Sequence, residues 1–146
     1  MIDLLAAEGG EVVKFGGDAL TVLFPVGDET LEYATRRAYQ AATAVQQTMQ
    51  AFATMQSSIG MVHLGLKIGI GAGELSAMRV GGVFNRWEYV IAGDALQQAA
   101  LAEGQAQRGD VILSPEATRL MHPELLPAKP LAVPDLSDQE DTSRDL

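Results

Sequence analysis

A single carboxylate, Asp18, closes the run Gly16-Gly17-Asp18, with a lysine, Lys14, four residues before it. The flanking runs 11–15 and 19–24 read as strands, and glycines supply the positive φ angles that a tight connection needs, so the segment predicts a β-hairpin with Asp18 at its tip. One carboxylate so placed suits Mg²⁺, which takes one or two carboxylates and completes its shell with substrate phosphate oxygens. The plainer reading is a polar turn former. A second segment, Gly93-Asp94-Ala95-Leu96-Gln97, leads from a strand into a helix that carries Leu101 one turn further on. Arg79 and Arg86 flank the glycine pair Gly81-Gly82 and are long enough to reach a triphosphate, though solvated arginines fit the same pattern. Trp87 and Tyr89 alternate on a strand, which suits packing at a sheet or dimer face better than base stacking. The chain has no cysteine, and its isolated His63 and His122 make no metal-ligand spacing.

The elements that must position these residues follow from periodicity. Residues 1–8 form a short apolar helix end stopped by Gly9-Gly10. From Asp28 to about residue 55, Leu31, Ala34, Ala38, Ala41, Val45, Met49 and Phe52 recur at helical spacing, predicting one long amphipathic helix with Asp28 as N-cap. Residues 64–72 alternate apolar side chains with Gly65, Gly69 and Gly71, a strand whose glycine face admits something very close, either a helix or a ligand. Residues 75–80 and 87–91 are two more strands. Asp94 caps the next helix, with Gln97 reaching back in a capping box and Leu96, Ala99 and Ala100 facing inward. A short strand at 111–113, a helix opened by Ser114-Pro115 and a proline-spaced extended stretch at 126–134 complete an α+β order.

With 146 residues, 47% of them hydrophobic, the chain suits one domain, assigned to 1–134, followed by an acidic disordered tail at 135–146. A net charge of -9 argues against nucleic acid as a partner. No run is long enough to cross a membrane and no signal peptide is evident, which predicts a cytoplasmic protein.

The segment from Gly10 to Leu20, the segment from Trp87 to Leu96 and the stretch Arg108-Gly109-Asp110-Val111-Ile112-Leu113-Ser114-Pro115-Glu116-Ala117 together resemble the class III adenylyl and guanylyl cyclases, in particular the half-domains of soluble bicarbonate-regulated adenylyl cyclases. The resemblance covers Met1 to about Leu120. It implies a ferredoxin-like (nucleotide cyclase) antiparallel sheet packed by helices, conversion of ATP to cyclic AMP and pyrophosphate in intracellular signalling, and Mg²⁺ or Mn²⁺ as cofactor. By that resemblance Asp18 is a metal ligand, Lys14, Gly16, Gly17 and Arg86 bind nucleotide, and the partner is a second copy or another cyclase half-domain. Departures from the family pattern are equally specific. Gln97 stands for the ribose-orienting Asn, Leu101 for the phosphate-stabilising Arg, Val90, read as core, for the base-reading residue, and Ala100 for the arginine of bicarbonate sensing. Leucine cannot stabilise phosphoryl charge, and losing such a group raises a barrier by ~3 kcal/mol or more. The isolated chain is therefore expected not to be catalytically competent, and no catalytic residue is assigned. The family's first strand and first helix, with its other metal aspartate, would precede Met1. Without that strand the hairpin and residues 64–72 should pair directly, borrow a strand or leave backbone groups unpaired, which predicts a dimer, a rearranged sheet or an incomplete chain. The alternatives are a non-catalytic pseudo-cyclase serving regulation or dimerisation and, more remotely, a diguanylate cyclase-like domain, whose Gly-Gly-Asp signature continues with acidic and aromatic residues where this chain has Ala19 and Leu20.

Overall fold

The computed structural model describes residues 1–122, so the expected extended stretch and acidic tail lie outside the described residues. Helix α1 (Ile2–Ala7) ends as its glycines predict: Gly9 takes φ +78°, its N–H reaches the carbonyl of Ala6 at 2.9 Å, and Gly10 donates to Leu5 at 2.8 Å. This is the paired closure of a Schellman motif. Strands β1 (Glu11–Gly16) and β2 (Ala19–Leu23) follow as an antiparallel hairpin.

Helix α2 (Leu31–Gln50) is shorter than its periodicity suggests at both ends. Thr30, not Asp28, is the N-cap, because Thr30 is extended (φ -91°, ψ 155°) and its hydroxyl accepts from the Tyr33 N–H at 3.2 Å. At the other end the helix gives way to a hairpin absent from the sequence reading, β3 (Thr54–Ser57) with β4 (Gly60–His63), whose register is closed below by the Leu64 N–H on the Ala53 carbonyl at 3.1 Å. Helical spacing of Met49 and Phe52 carried the expected helix past its true end.

The strand expected over 64–72 contracts to β5 (Ile68–Ile70), which pairs in parallel with β8 (Val111–Leu113). Strands β6 (Ser76–Gly81) and β7 (Trp87–Ala92) form a long antiparallel ribbon. Helix α3 (Asp94–Gln105) starts one residue earlier than a cap at Asp94 implies: Gly93, at φ +145°, holds the N-cap place, and no side-chain cap bond forms. The Asp94–Gln97 capping box is therefore corrected to an acidic first turn that favours the helix dipole. Of the residues expected to face inward, Leu96 and Ala99 are half-buried and Ala100 is exposed, while the buried positions of the helix are Ala95 and Ala102. Ser114 caps α4 (Pro115–Met121), accepting from the Ala117 N–H at 3.1 Å.

These pieces rest on α2. Its Ala41 and Val45 meet Leu5, Leu20, Val22 and Phe24 on one side, and its Ala42 meets Ile70, Ala72 and Ala117 on the other. Gln46, buried on the same helix, donates to the carbonyls of Leu66 and Asp110, both at 3.0 Å, and ties the starts of β5 and β8 to it. The mixture of helices and hairpins matches the expected α+β class, but the sheet is not continuous. Among the described residues there are four two-stranded sheets, and one pair, β5 with β8, is parallel. Of the outcomes foreseen for a missing first strand, direct pairing does not occur: β2 and β5 share the core through Leu20, Val22 and Ile68 without a ladder between them.

The glycine face of β5 has a definite occupant. A Cβ on Gly69 would strike the backbone of Ala99 and Glu103, and one on Gly71 that of Ala95 and Ala99, so the close neighbour is helix α3 and not a ligand. Gln98 locks the contact, its Oε1 accepting from the Ala72 N–H at 3.0 Å and from the Ser114 hydroxyl at 2.8 Å.

Candidate functional site

The β1–β2 hairpin presents Asp18 through a two-residue turn. Gly16 pairs with Ala19, Gly17 takes φ +61° and Asp18 stays at negative φ, the sign pattern of a type II′ turn with glycine at its first central place. A bulge re-aims the strand before the tip: Val12 faces Val22 and Lys14 faces Thr21, leaving Val13 without a partner. Lys14, Phe15, Gly16, Gly17 and Asp18 are all exposed. The base of the hairpin is anchored by Leu20 and Val22 in the core, so the tip stands on a fixed support.

Arg86 lies at the far end of the β6–β7 ribbon, in the loop that joins Gly81 to Trp87. That loop holds Phe84 and Asn85 at φ 53° and 58°, left-handed conformations that cost an ordinary residue roughly 1–2 kcal/mol. Phe84 is also 93% exposed. The Gly82 N–H on the Arg86 carbonyl, at 2.8 Å, closes the turn. Arg79 stacks over the Trp87 ring at 5.3 Å, a cation–π contact that the sequence reading missed although the two residues flank the glycine pair. Val90, expected in the core, is exposed on this ribbon, where among the described residues β6 and β7 pack mainly on each other.

Gln97 is exposed in the first turn of α3 and Leu101, half-buried, follows one turn later. Among the described residues no hydrogen bond or ion pair joins Asp18 or Lys14 to Arg86 or Gln97. The expected residues therefore occupy three separate mounts: a supported hairpin tip, a projecting ribbon and a helix start. Nor do the described residues contain a group of three or more His, Asp or Glu side chains able to hold a metal. Asp18 fits one ligand position of a Mg²⁺ ion, and this set of residues does not amount to a metal site by itself.

A groove of about 610 Å³ opens elsewhere, between the end of α1, the loop after β2 and α2, lined by Glu8, Pro25, Asp28, Tyr33 and Arg37. None of the expected site residues lines it. Arg37 gives it a structural purpose, donating to the carbonyls of Glu8 at 2.9 Å and Pro25 at 2.8 Å and pairing with Glu29 at 3.2 Å.

Among the described residues no helix is long and apolar enough to cross a membrane. No protein-family model matches the sequence. Curated relatives do: the chain is similar to adenylate cyclase type 10 of Oryctolagus cuniculus, 33% identical over 112 residues covering 77% of this chain, and to that of Homo sapiens, 31% identical over 127 residues covering 87%. It spans only 7% and 8% of the lengths of those two relatives. Among solved structures, the adenylyl cyclase CyaB from P. aeruginosa superposes with TM-score 0.69 at 21% identity, over 86% of this chain and 64% of that one. The guanylyl cyclase Cya2 gives 0.68 at 22%, over 82% and 59%. At such identities these structures establish the shared fold.

Proposed function

We propose, for a chain that belongs to the class III adenylyl/guanylyl cyclase family, that it is the metal-side half of a cyclase catalytic unit which binds a nucleoside triphosphate and does not turn it over alone. One observation carries this reading. Asp18 is held at an exposed, core-anchored hairpin tip, whereas the helix position expected to bear a phosphate-stabilising cation is Leu101, half-buried and apolar. In-line attack of a ribose hydroxyl on the α-phosphate needs positive charge where the phosphoryl charge develops. This chain has none to offer at that place.

In this reading Asp18 takes one position on a Mg²⁺ or Mn²⁺ ion, Gly16 and Gly17 let the backbone approach, Arg86 reaches the phosphates, and Lys14 contacts the base of the nucleotide whose metals the partner half holds. ATP is the nucleotide favoured by Lys14, with cyclic AMP the product of the completed unit in the cytoplasm. The remaining groups come from a second copy or another cyclase half-domain. Met78, Val80, Phe84, Trp87, Tyr89 and Val90 are exposed on the β6–β7 ribbon and offer the pairing surface. The apolar Leu101 also supports a second reading, a pseudo-cyclase whose bound nucleotide regulates its partner.

The test is titration of the chain with ATP and with GTP in the presence of Mg²⁺ or Mn²⁺, with cyclic nucleotide followed by mass spectrometry. Metal-dependent binding without product is expected, weakened at least several-fold by Asp18→Asn. Turnover by the chain alone that disappears in Asp18→Asn would refute the assignment of an incompetent half.

A further inference from the structure

The chain carries 29 charged side chains among its 146 residues, yet the stretch 38–66 contains no Asp, Glu, Lys or Arg. That stretch ends in the β3–β4 hairpin, whose strands, among the described residues, pair only with each other. All four residues of β3 are exposed, Ile59 in the turn is 91% exposed, and Met55 and Met61 are exposed on the strands. Strand edges are normally protected against pairing by a lysine, a proline or a bulge. This ladder has none of them: its register runs unbroken from Thr54–His63 to Ser57–Gly60.

The ladder also shows which backbone groups remain unused. Ser57 and Gly60 close a two-residue turn and Leu64 donates to Ala53, so the internal bonds fall on the pairs 57/60, 55/62 and 53/64. The N–H and C=O groups of Thr54 and Gln56 then point away from the hairpin along the β3 edge, and those of Met61 and His63 along the β4 edge. The β4 edge is partly covered, since Arg108 Nη1 donates to the His63 carbonyl at 3.4 Å. Along the β3 edge no described residue accepts from or donates to these groups.

We infer that the β3 edge pairs antiparallel with the β3 edge of a second copy of this chain about a two-fold axis. A register in which Thr54 faces Gln56 of the other copy uses every outward group of the strand and sets Met55 against itself on the axis. Val62 and Met55 from both copies then line one face of a four-stranded sheet. Charge selects the occupant: two copies each carrying -9 meet with least repulsion through a surface that holds no charge, and a two-fold contact of this kind closes on itself. The contact is small, so it is a weak, concentration-dependent association. It is distinct from the ribbon pairing proposed above and does not rest on it.

Amide exchange followed by NMR at high and low protein concentration tests the inference. At high concentration the Thr54 and Gln56 amides should exchange at least ~10-fold more slowly than on dilution. Gln56→Pro removes an N–H that the hairpin itself does not use, and Met55→Lys places like charges opposite each other on the axis. Each should abolish the concentration dependence while far-UV circular dichroism stays unchanged, whereas Met61→Pro on the other edge should leave it intact. Thr54 and Gln56 amides that exchange freely at the highest attainable concentration overturn the inference. Concentration-dependent protection that survives both Gln56→Pro and Met55→Lys does so too.

Discussion

Two glycine-to-alanine substitutions should change stability in opposite directions. At Gly71 a Cβ would meet the Ala95 carbonyl, the Ala99 nitrogen at 2.8 Å and the Gln98 Cβ at 2.9 Å. Two of these are backbone atoms of α3, so no side chain can rotate away and the helix must move. Overpacking of this kind costs about 1–3 kcal/mol. Moving α3 also strains the bond from the Ala72 N–H to Gln98, and such a bond contributes about 1 kcal/mol. The expected loss for Gly71→Ala is therefore about 2–4 kcal/mol. Gly104 lies inside the same helix with nothing within 4 Å of its Cβ position, so Gly104→Ala should gain about 0.5–1 kcal/mol from helix propensity alone. Urea unfolding followed by far-UV circular dichroism measures both. Trp87 fluorescence is the wrong probe, because that side chain is 54% exposed on the ribbon and reports little of the core. A Gly71→Ala midpoint indistinguishable from the parent, at unchanged m-value, would refute the claim that α3 lies directly on the β5 backbone.

Three further outcomes follow from the same packing. Gln98→Leu takes the acceptor from the Ala72 N–H and from the buried Ser114 hydroxyl, and at about 1–3 kcal/mol per stranded group it should destabilise by at least about 2 kcal/mol in the same urea assay. Arg37→Met releases the carbonyls of Glu8 and Pro25 and the carboxylate of Glu29, so hydrogen exchange should speed up in residues 2–10 and 24–29 while β5 and β8 stay protected. Thr30→Ala removes the α2 cap and should cost about 1 kcal/mol in thermal or urea unfolding, whereas Asp28→Ala should cost much less.

The parts of the fold that could be read from sequence are those where one residue has one physical job. Gly9 and Gly10 end α1, Gly17 turns the β1–β2 hairpin, and Ser114-Pro115 opens α4, each through a local backbone requirement. The misplaced parts depended on a choice between competing local signals. Asp28 and Thr30 are both good caps, and only the extended backbone at Thr30 decides between them. The β3–β4 hairpin was hidden because Met49 and Phe52 keep helical spacing up to its first strand, and its turn, Ser58-Ile59, lacks a glycine at either central place. At the candidate site the type and mount of Asp18 were legible, since the hairpin is local. Whether Asp18 meets Arg86 or Gln97 was not legible, because those residues reach the surface on elements whose relative placement is set by packing between segments distant in the chain.

Support is unequally distributed over the site, and that has a consequence for how it works. The Asp18 hairpin shares a core with Leu5, Ala41 and Val45, so its tip is in place before any ligand arrives. Arg86 instead sits on a ribbon whose two strands have hardly a buried residue between them, and an isolated two-stranded ribbon is marginal in water. Its tip adds two left-handed residues, one of them an aromatic ring held out in solvent. Covering that ribbon relieves the exposure of Phe84 and Trp87 and fixes Arg86 in one event, so in the proposed reading pairing and phosphate contact are a single equilibrium. Nucleotide and metal should then tighten the pairing by the same factor by which pairing tightens their binding, since linkage between two sites is reciprocal. Asp18→Asn should weaken pairing only when nucleotide and metal are present, while Phe84→Asp should weaken it under both conditions. Sedimentation velocity with and without Mg²⁺-ATP separates the two, and loss of pairing in nucleotide-free Asp18→Asn would break the link between the hairpin tip and the ribbon.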